Sequence, residues 1–405
     1  MDNQNTDVKR KFKSQLFLYI ALIVIILVVI SIILLREEKE EVGPAKEFEI
    51  VVKSQDGLDI SLDGRNYSSG IIINKSKITK EIENTYPKNT NHWLGDSLTF
   101  KPISTDGKLN SDTGTLIFYE IENRKDVPGG YKLAAKLLDN VKNVGSEDEP
   151  SYAVNEKDGY IVFDLFIKNG SIEESNETES GEEQIVDKVY LTKDTKVLDS
   201  NNKGIENSLR IAFMEIGSAS TTADKDVVQS ISCNKEETSE FNSKCNQNVQ
   251  GVTWNIYEPN NTHHTNDACI KYNRKCKNRI GINTYSENCK PLTDTSLFDT
   301  YVVNQEIKLD DNVNIYDGLN NYQSNQLTKF NYYNDDMRSN SDSDKLESIL
   351  SLENNTVTKV RVYIYLEGQD IDNLDYGTVD SNLRIAFGFT KDVISSNTYI
   401  QQKNE

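Results

Sequence analysis

The densest chemistry in the chain lies in GVTWNIYEPNNTHHTNDAC, residues 251–269, which gathers Trp254, Tyr257, Glu258, Pro259, His263, His264 and Asp267 and holds two of the three histidines. Aromatic rings beside a Pro-Asn turn make Trp254, Tyr257, Glu258, Pro259, His263 and His264 a candidate binding ledge. The same pattern also reads as a strand that ends in a turn, with Trp254 buried and the histidines exposed. A metal set would combine His263 and His264 with Glu258 and Asp267. Adjacent histidines on a strand point to opposite faces, however, and the H-E-x-x-H spacing that places two ligands on one helical face is absent.

A calcium site would draw on EGQDIDNLDYG, where Asp370, Asp372 and Asp375 cluster. The EF-hand pattern fails there, because the sixth loop position lacks glycine and Ser381 stands where a bidentate Glu belongs. A solvated acidic loop is the expectation. The chain carries no G-x-S-x-G, no P-loop and no glycine-rich dinucleotide fingerprint, and no cofactor is expected.

All five cysteines, Cys233, Cys245, Cys269, Cys276 and Cys289, fall in one segment with no C-x-x-C among them. That spacing gives little support to a four-thiolate zinc site, whereas disulfides are the default outside the cytoplasm. Sequence cannot choose among the pairings; Cys233 with Cys245 and Cys276 with Cys289 would each close a short loop, leaving Cys269 free or intermolecular.

The elements that must hold these residues begin with an anchor. LFLYIALIVIILVVISIILL, residues 16–35, has 20 residues and no charge. At about 1.5 Å per residue it spans about 30 Å of hydrocarbon, long for a signal peptide and without a small-residue cleavage site. Lys9, Arg10, Lys11 and Lys13 precede it, so the N-terminus is expected in the cytoplasm and the remainder outside.

Beyond the anchor, strands show as period-two alternation. In VRVYIYLEG, Val360, Val362, Ile364 and Leu366 face a core while Arg361, Tyr363, Tyr365 and Glu367 face water; YIVFDLFIK repeats the pattern with Ile161, Phe163, Leu165 and Ile167 inside. The pentapeptide LRIAF occurs twice, at 209–213 and 383–387, and both copies read as half-buried antiparallel strands with Arg210 and Arg384 outward. Further strands are expected at 48–53, 58–64, 70–74, 98–103, 115–121, 188–192, 252–258 and 302–309. One helix is expected in YKLAAKLLDNV, whose apolar residues form a single stripe.

The chain has 405 residues and a net charge of −19, with a basic excess confined to its first residues. So acidic a surface repels nucleic acid and favours cationic partners or solubility alone.

Together YIVFDLFIKN, VYLTKDTKV, ENSLRIAF, VTWNIYEPNNTHHT, VNIYDG and VRVYIYLEGQDID resemble a group of uncharacterised membrane-anchored bacterial surface proteins. VYIYLEGQDID and the LRIAF strands also resemble biofilm matrix-fibre proteins and camelysin. The resemblance implies a jelly-roll-like β-sandwich, and through camelysin a metal-dependent hydrolase as the alternative activity.

The expected organisation is therefore a cytoplasmic tail (1–15), a transmembrane helix (16–35), a linker (36–46), a β-sandwich in two parts (47–220 and 296–390), a cysteine-bearing insertion (221–295) and a polar tail (391–405). The expected function is a structural or adhesive one at the bacterial cell surface, with a surface or matrix protein, or a second copy, as partner.

Overall fold

The computed structural model describes residues 48–94, 100–110, 113–124, 132–138, 141–143, 152–154, 159–170, 186–199, 205–233, 241–245, 255–259, 301–308, 327–330, 332–334, 337, 347–370 and 383–391. All of these belong to one compact unit, Val42–Glu405. The expected anchor at 16–35 and its flanks lie outside the described residues, among which no helix is long and apolar enough to cross a membrane.

The unit is mostly β. It opens with β1 (Phe48–Ser54), β2 (Leu58–Ser61) and β3 (Gly70–Ile73), then a short helical stretch, Lys77–Glu81 running into Ile82–Thr85. β4 (Pro102–Ser104), β5 (Tyr119–Arg124) and β6 (Lys132–Leu137) follow, and β7 (Val141–Asn143) pairs with β8 (Tyr152–Val154). The long strand β9 (Ile161–Asn169) precedes β10 (Val186–Leu191), β11 (Lys196–Asp199) and the first LRIAF strand, β12 (Leu209–Ser220). After the helical turn Lys225–Ser230 come β13 (Asn242–Ser243), β14 (Ile256–Tyr257), β15 (Tyr301–Val303) and β16 (Leu327–Lys329). β17 (Leu350–Glu353), β18 (Thr356–Glu367) and the second LRIAF strand, β19 (Leu383–Lys391), complete it.

Two sheets hold most of these strands. The first runs β17-β10-β19-β1-β3, with β11 also on β19; the second runs β13-β12-β18-β4-β5-β6, with β14 on β12, β9 on β18 and β2 on β9. Both sheets thus combine strands from before residue 220 with strands after residue 349. Described parts of the cysteine segment join the second sheet as well, since β13 and β14 both pair with β12.

The two LRIAF strands sit in different sheets and turn the same residues toward each other. Leu209, Ile211 and Phe213 and their counterparts Leu383, Ile385 and Phe387 are all buried in one aliphatic and aromatic cluster. Phe213 meets Phe387 edge-on at 5.4 Å and Phe389 at 5.6 Å. Burying side chains of this size contributes roughly 1.5–3 kcal/mol each, which fixes the register of both strands, because a one-residue slip would turn all three outward.

Four expectations are corrected here. The stretch expected as a helix contains β6, paired antiparallel with β5 from Tyr119↔Leu137 to Arg124↔Lys132, and ends at Val141, the first residue of β7. Ala135 is also bridged to Ile307 on its other edge, so the β5 ladder and this single bridge outweigh the helical preference of the segment's alanines and leucines. Second, β19 is antiparallel to β10 and β11 but parallel to β1, in register from Phe48↔Leu383 to Ser54↔Phe389. Third, the face of β18 expected to be wet is covered, and all twelve of its residues are buried. Phe118 lies 5.8 Å from the Tyr363 ring and 5.1 Å from Tyr365, and Tyr160 lies 5.9 Å from Tyr363. Fourth, Arg210 is fully buried although Arg384, in the same pentapeptide, is exposed.

Cys233 and Cys245 are joined by a disulfide. Gly114 has φ +61° and approaches it so closely that a Cβ there would lie 2.4 Å from Cys233 Sγ. Only a glycine meets both demands.

Candidate functional site

The second face of β18 presents Lys359, Arg361, Tyr363, Tyr365 and Glu367 at alternate positions, and on it the chain builds two buried charged clusters separated by aromatic rings. Register explains their membership. Arg361 lies opposite Asp164 of β9, and Tyr365 lies opposite Arg210 of β12.

In the first cluster, Asp164 accepts hydrogen bonds from Arg361 Nε at 2.9 Å and from the Tyr86 hydroxyl at 2.9 Å, with Lys359 Nζ 3.4 Å away. Lys359 in turn donates to the Tyr86 oxygen at 2.5 Å and to the Ile231 carbonyl at 2.8 Å, and lies 5.6 Å from the centre of the Phe166 ring. Burial pushes the Asp164 carboxyl up, but Arg361, then Lys359, and the hydrogen bonds overcome it and lower the group to about 2. Burial lowers Lys359, against the pull of Asp164. Two cations share one carboxylate, so the Arg361–Asp164 pair is the essential contact.

The second cluster surrounds Arg210. Its Nη2 donates to Glu258 Oε1 at 2.6 Å and Asp370 Oδ2 at 2.7 Å, while Nη1 reaches the carbonyls of Asn207 at 2.7 Å and Leu209 at 3.1 Å. The guanidinium lies 4.7 Å from the centre of the Tyr332 ring, and the Tyr332 hydroxyl donates to Glu367 Oε2 at 3.1 Å. Burial raises Glu367 to about 7, although Arg210 and hydrogen bonds from the Gln369 amide, Ser104 and Tyr332 pull the other way. Here the carboxylates outnumber the cation.

Neither cluster offers a reactive group to an outside substrate. Asp164 is held ionised by Arg361 and so makes a poor general acid, and Glu367, whose value near neutrality would suit proton transfer, is 0% exposed. Both arrangements hold the second sheet to the segments that cover it.

The solvent face of the second LRIAF copy is different. Val51, Lys53, Asp194, Lys196, Leu198, Arg384 and Ala386 border a groove of about 270 Å³ on the first sheet. Small side chains on β19 create it, because Ala386 and Gly388 succeed Arg384 on that face. Asp194 of the Thr192–Thr195 turn borders it, and Thr192 Oγ1 lies 2.5 Å from where a Cβ at Gly388 would lie. Arg384 pairs with Glu49 at 3.3 Å and Lys53 with Asp194 at 3.8 Å, both largely in solvent.

The ledge residues are only partly brought together. Tyr257 and Pro259 are buried, and Glu258 is committed to Arg210; Trp254, His263 and His264 lie outside the described residues, as do Asp267, Cys269, Cys276 and Cys289. Of the calcium candidates, Asp370 is buried against Arg210 rather than solvated, and Asp372 and Asp375 lie outside the described residues. Among the described residues no group of three His, Cys, Asp or Glu side chains could hold a metal ion.

Sequence reasoning passed over Asp164, Lys359 and Tyr86, and placed Arg361 and Glu367 in water where the structure buries them. One signal was available: an aspartate in the middle of the apolar run YIVFDLFIK needs a buried cation, and a neighbouring strand carries two. No family model, curated protein or solved structure matches this chain.

Proposed function

We propose that this chain is a bacterial cell-surface protein with a structural or adhesive role, anchored through residues 16–35 and carrying a jelly-roll-like β-sandwich outside the membrane. The Cys233–Cys245 disulfide is the observation that carries this reading, since such bonds persist in oxidising compartments. The uncharged run at 16–35 and the basic residues before it supply the anchor and its orientation. Among the described residues both charged clusters are closed and structural, and the open groove on the first sheet offers a surface for a partner. The metal-dependent hydrolase alternative would need Glu258 to join His263 and His264, and Arg210 already occupies that carboxylate.

Protease treatment of intact bacteria expressing the full chain with a C-terminal epitope tests the proposal. Loss of the epitope, with an N-terminal fragment left in the membrane fraction, is the expected result. An epitope protected until the cells are lysed overturns it.

A further inference from the structure

The two LRIAF copies present the same outward residues, an arginine and an alanine two positions on, and the chain treats them in opposite ways. At the first copy it covers them itself. Arg210 receives the carboxylates of Glu258 and Asp370 and lies over the Tyr332 ring, and Ala212 is fully buried. At the second copy the Arg384 side chain is 65% exposed, with Glu49, itself 44% exposed, as its ion-pair partner.

Around Arg384 the solvent face is amphipathic. Register places Ile72, Val51, Ala386 and Lys196 on one rung across four strands, and Glu49, Arg384 and Leu198 on the next. Ile72 is 55% exposed and Leu198 47%, an unusual outlay of aliphatic surface on a sheet face. Lys53, Lys196 and Arg384 outnumber Asp194 and Glu49, so this patch is locally positive in a chain whose net charge is −19. An acidic partner is drawn to it and a basic one is not.

We infer that this groove docks an acidic polypeptide segment bearing an aromatic side chain, which places on Arg384 the carboxylate and ring that Glu258, Asp370 and Tyr332 place on Arg210. The aliphatic residues beside it receive the ring edge, and Lys196 and Lys53 take further carboxylates. This deepens the reading of the chain as an adhesive protein and rests on it only for where the partner is met. Binding is measured on purified protein, so its failure leaves the localisation untouched.

The test is fluorescence anisotropy of the full-length chain in detergent with a labelled octapeptide of alternating glutamate and tyrosine, beside one of glutamate and serine. The expected result is saturable binding of the tyrosine peptide, weakened about tenfold or more by Arg384→Glu and by Lys196→Glu, as when a central charged anchor is reversed. Arg384→Lys should also weaken it, because an ammonium neither stacks nor binds a carboxylate through two parallel bonds. All three substitutions are at exposed positions, and an unchanged urea midpoint verifies the fold; Leu198→Asp provides a fourth, independent variant. Equal binding of the two peptides, no binding of either, or variants that bind like the parent would each overturn the inference.

Discussion

Replacing the arginine of each LRIAF copy by leucine is one chemical change made in two environments, and the structure assigns it two very different costs. Arg210 has 0% side-chain exposure, four hydrogen bonds, two of them to the carboxylates of Glu258 and Asp370, and a ring beneath it. Leucine fills part of the arginine stem but leaves two carboxylates without their cation, beside Glu367, which burial has already raised to about 7. Breaking a buried pair in this way costs about 3–5 kcal/mol. Arg384 is mostly in water and its bond to Glu49 is 3.3 Å long, so Arg384→Leu should cost about 0.2–1 kcal/mol. Urea unfolding of the full-length chain and both variants gives the comparison, with an unchanged slope showing that the midpoint shift reports stability. A triple variant, Arg210→Leu with Glu258→Gln and Asp370→Asn, should recover a large part of the loss, because it removes the stranded charges. Equal losses for the two arginines, or a triple variant less stable than Arg210→Leu alone, would refute the reasoning.

Other expectations follow from the same clusters. Asp164→Asn strands Lys359 and Arg361 and should cost about 3–5 kcal/mol, whereas Lys359→Met leaves the Arg361–Asp164 pair intact and should cost less than half as much, both read by urea midpoint. Glu367 titrates at about 7 against an ordinary 4.5, so its contribution is fully present below about 4.5 and declines by about 3 kcal/mol as pH rises through 7; Glu367→Gln should flatten that part of a stability-against-pH curve. Asp164 acts in the opposite sense: with its value lowered to about 2, its contribution is present above 3.8 and is lost as pH falls through 2. Removing both Cys233 and Cys245 as serines opens a loop of sequence separation 12 and should cost about 3 kcal/mol in the chain-entropy account, visible as an earlier urea midpoint under non-reducing conditions.

Alternation made much of this fold readable. β1, β2, β9, β12, β18 and β19 all fall where apolar residues recur every second position, and the inward set of each LRIAF copy is buried. What alternation cannot convey is whether the second face of a strand is covered. Arg361, Tyr363, Tyr365 and Glu367 look like a wet face because each has a polar atom, yet Phe118, Tyr160, Tyr332 and Asp164 come from distant parts of the chain to cover or pair with them. LRIAF makes the limit plain: five identical residues cannot encode the difference between Arg210 and Arg384, which lies wholly in what packs over them. The strand at 132–137 was hidden for a related reason, since alanine, leucine and lysine favour a helix until β5 supplies a ladder.

Labelling of a single introduced thiol tests most directly the proposal that the β-unit lies outside the cell. Leu198 is 47% exposed on the first sheet, so Leu198→Cys in the full chain presents a thiol at the groove. Intact bacteria expressing this variant should react with a membrane-impermeant maleimide well above the level of the parent chain treated in parallel. Labelling of the variant that rises above the parent only after the cells are broken open would contradict the account.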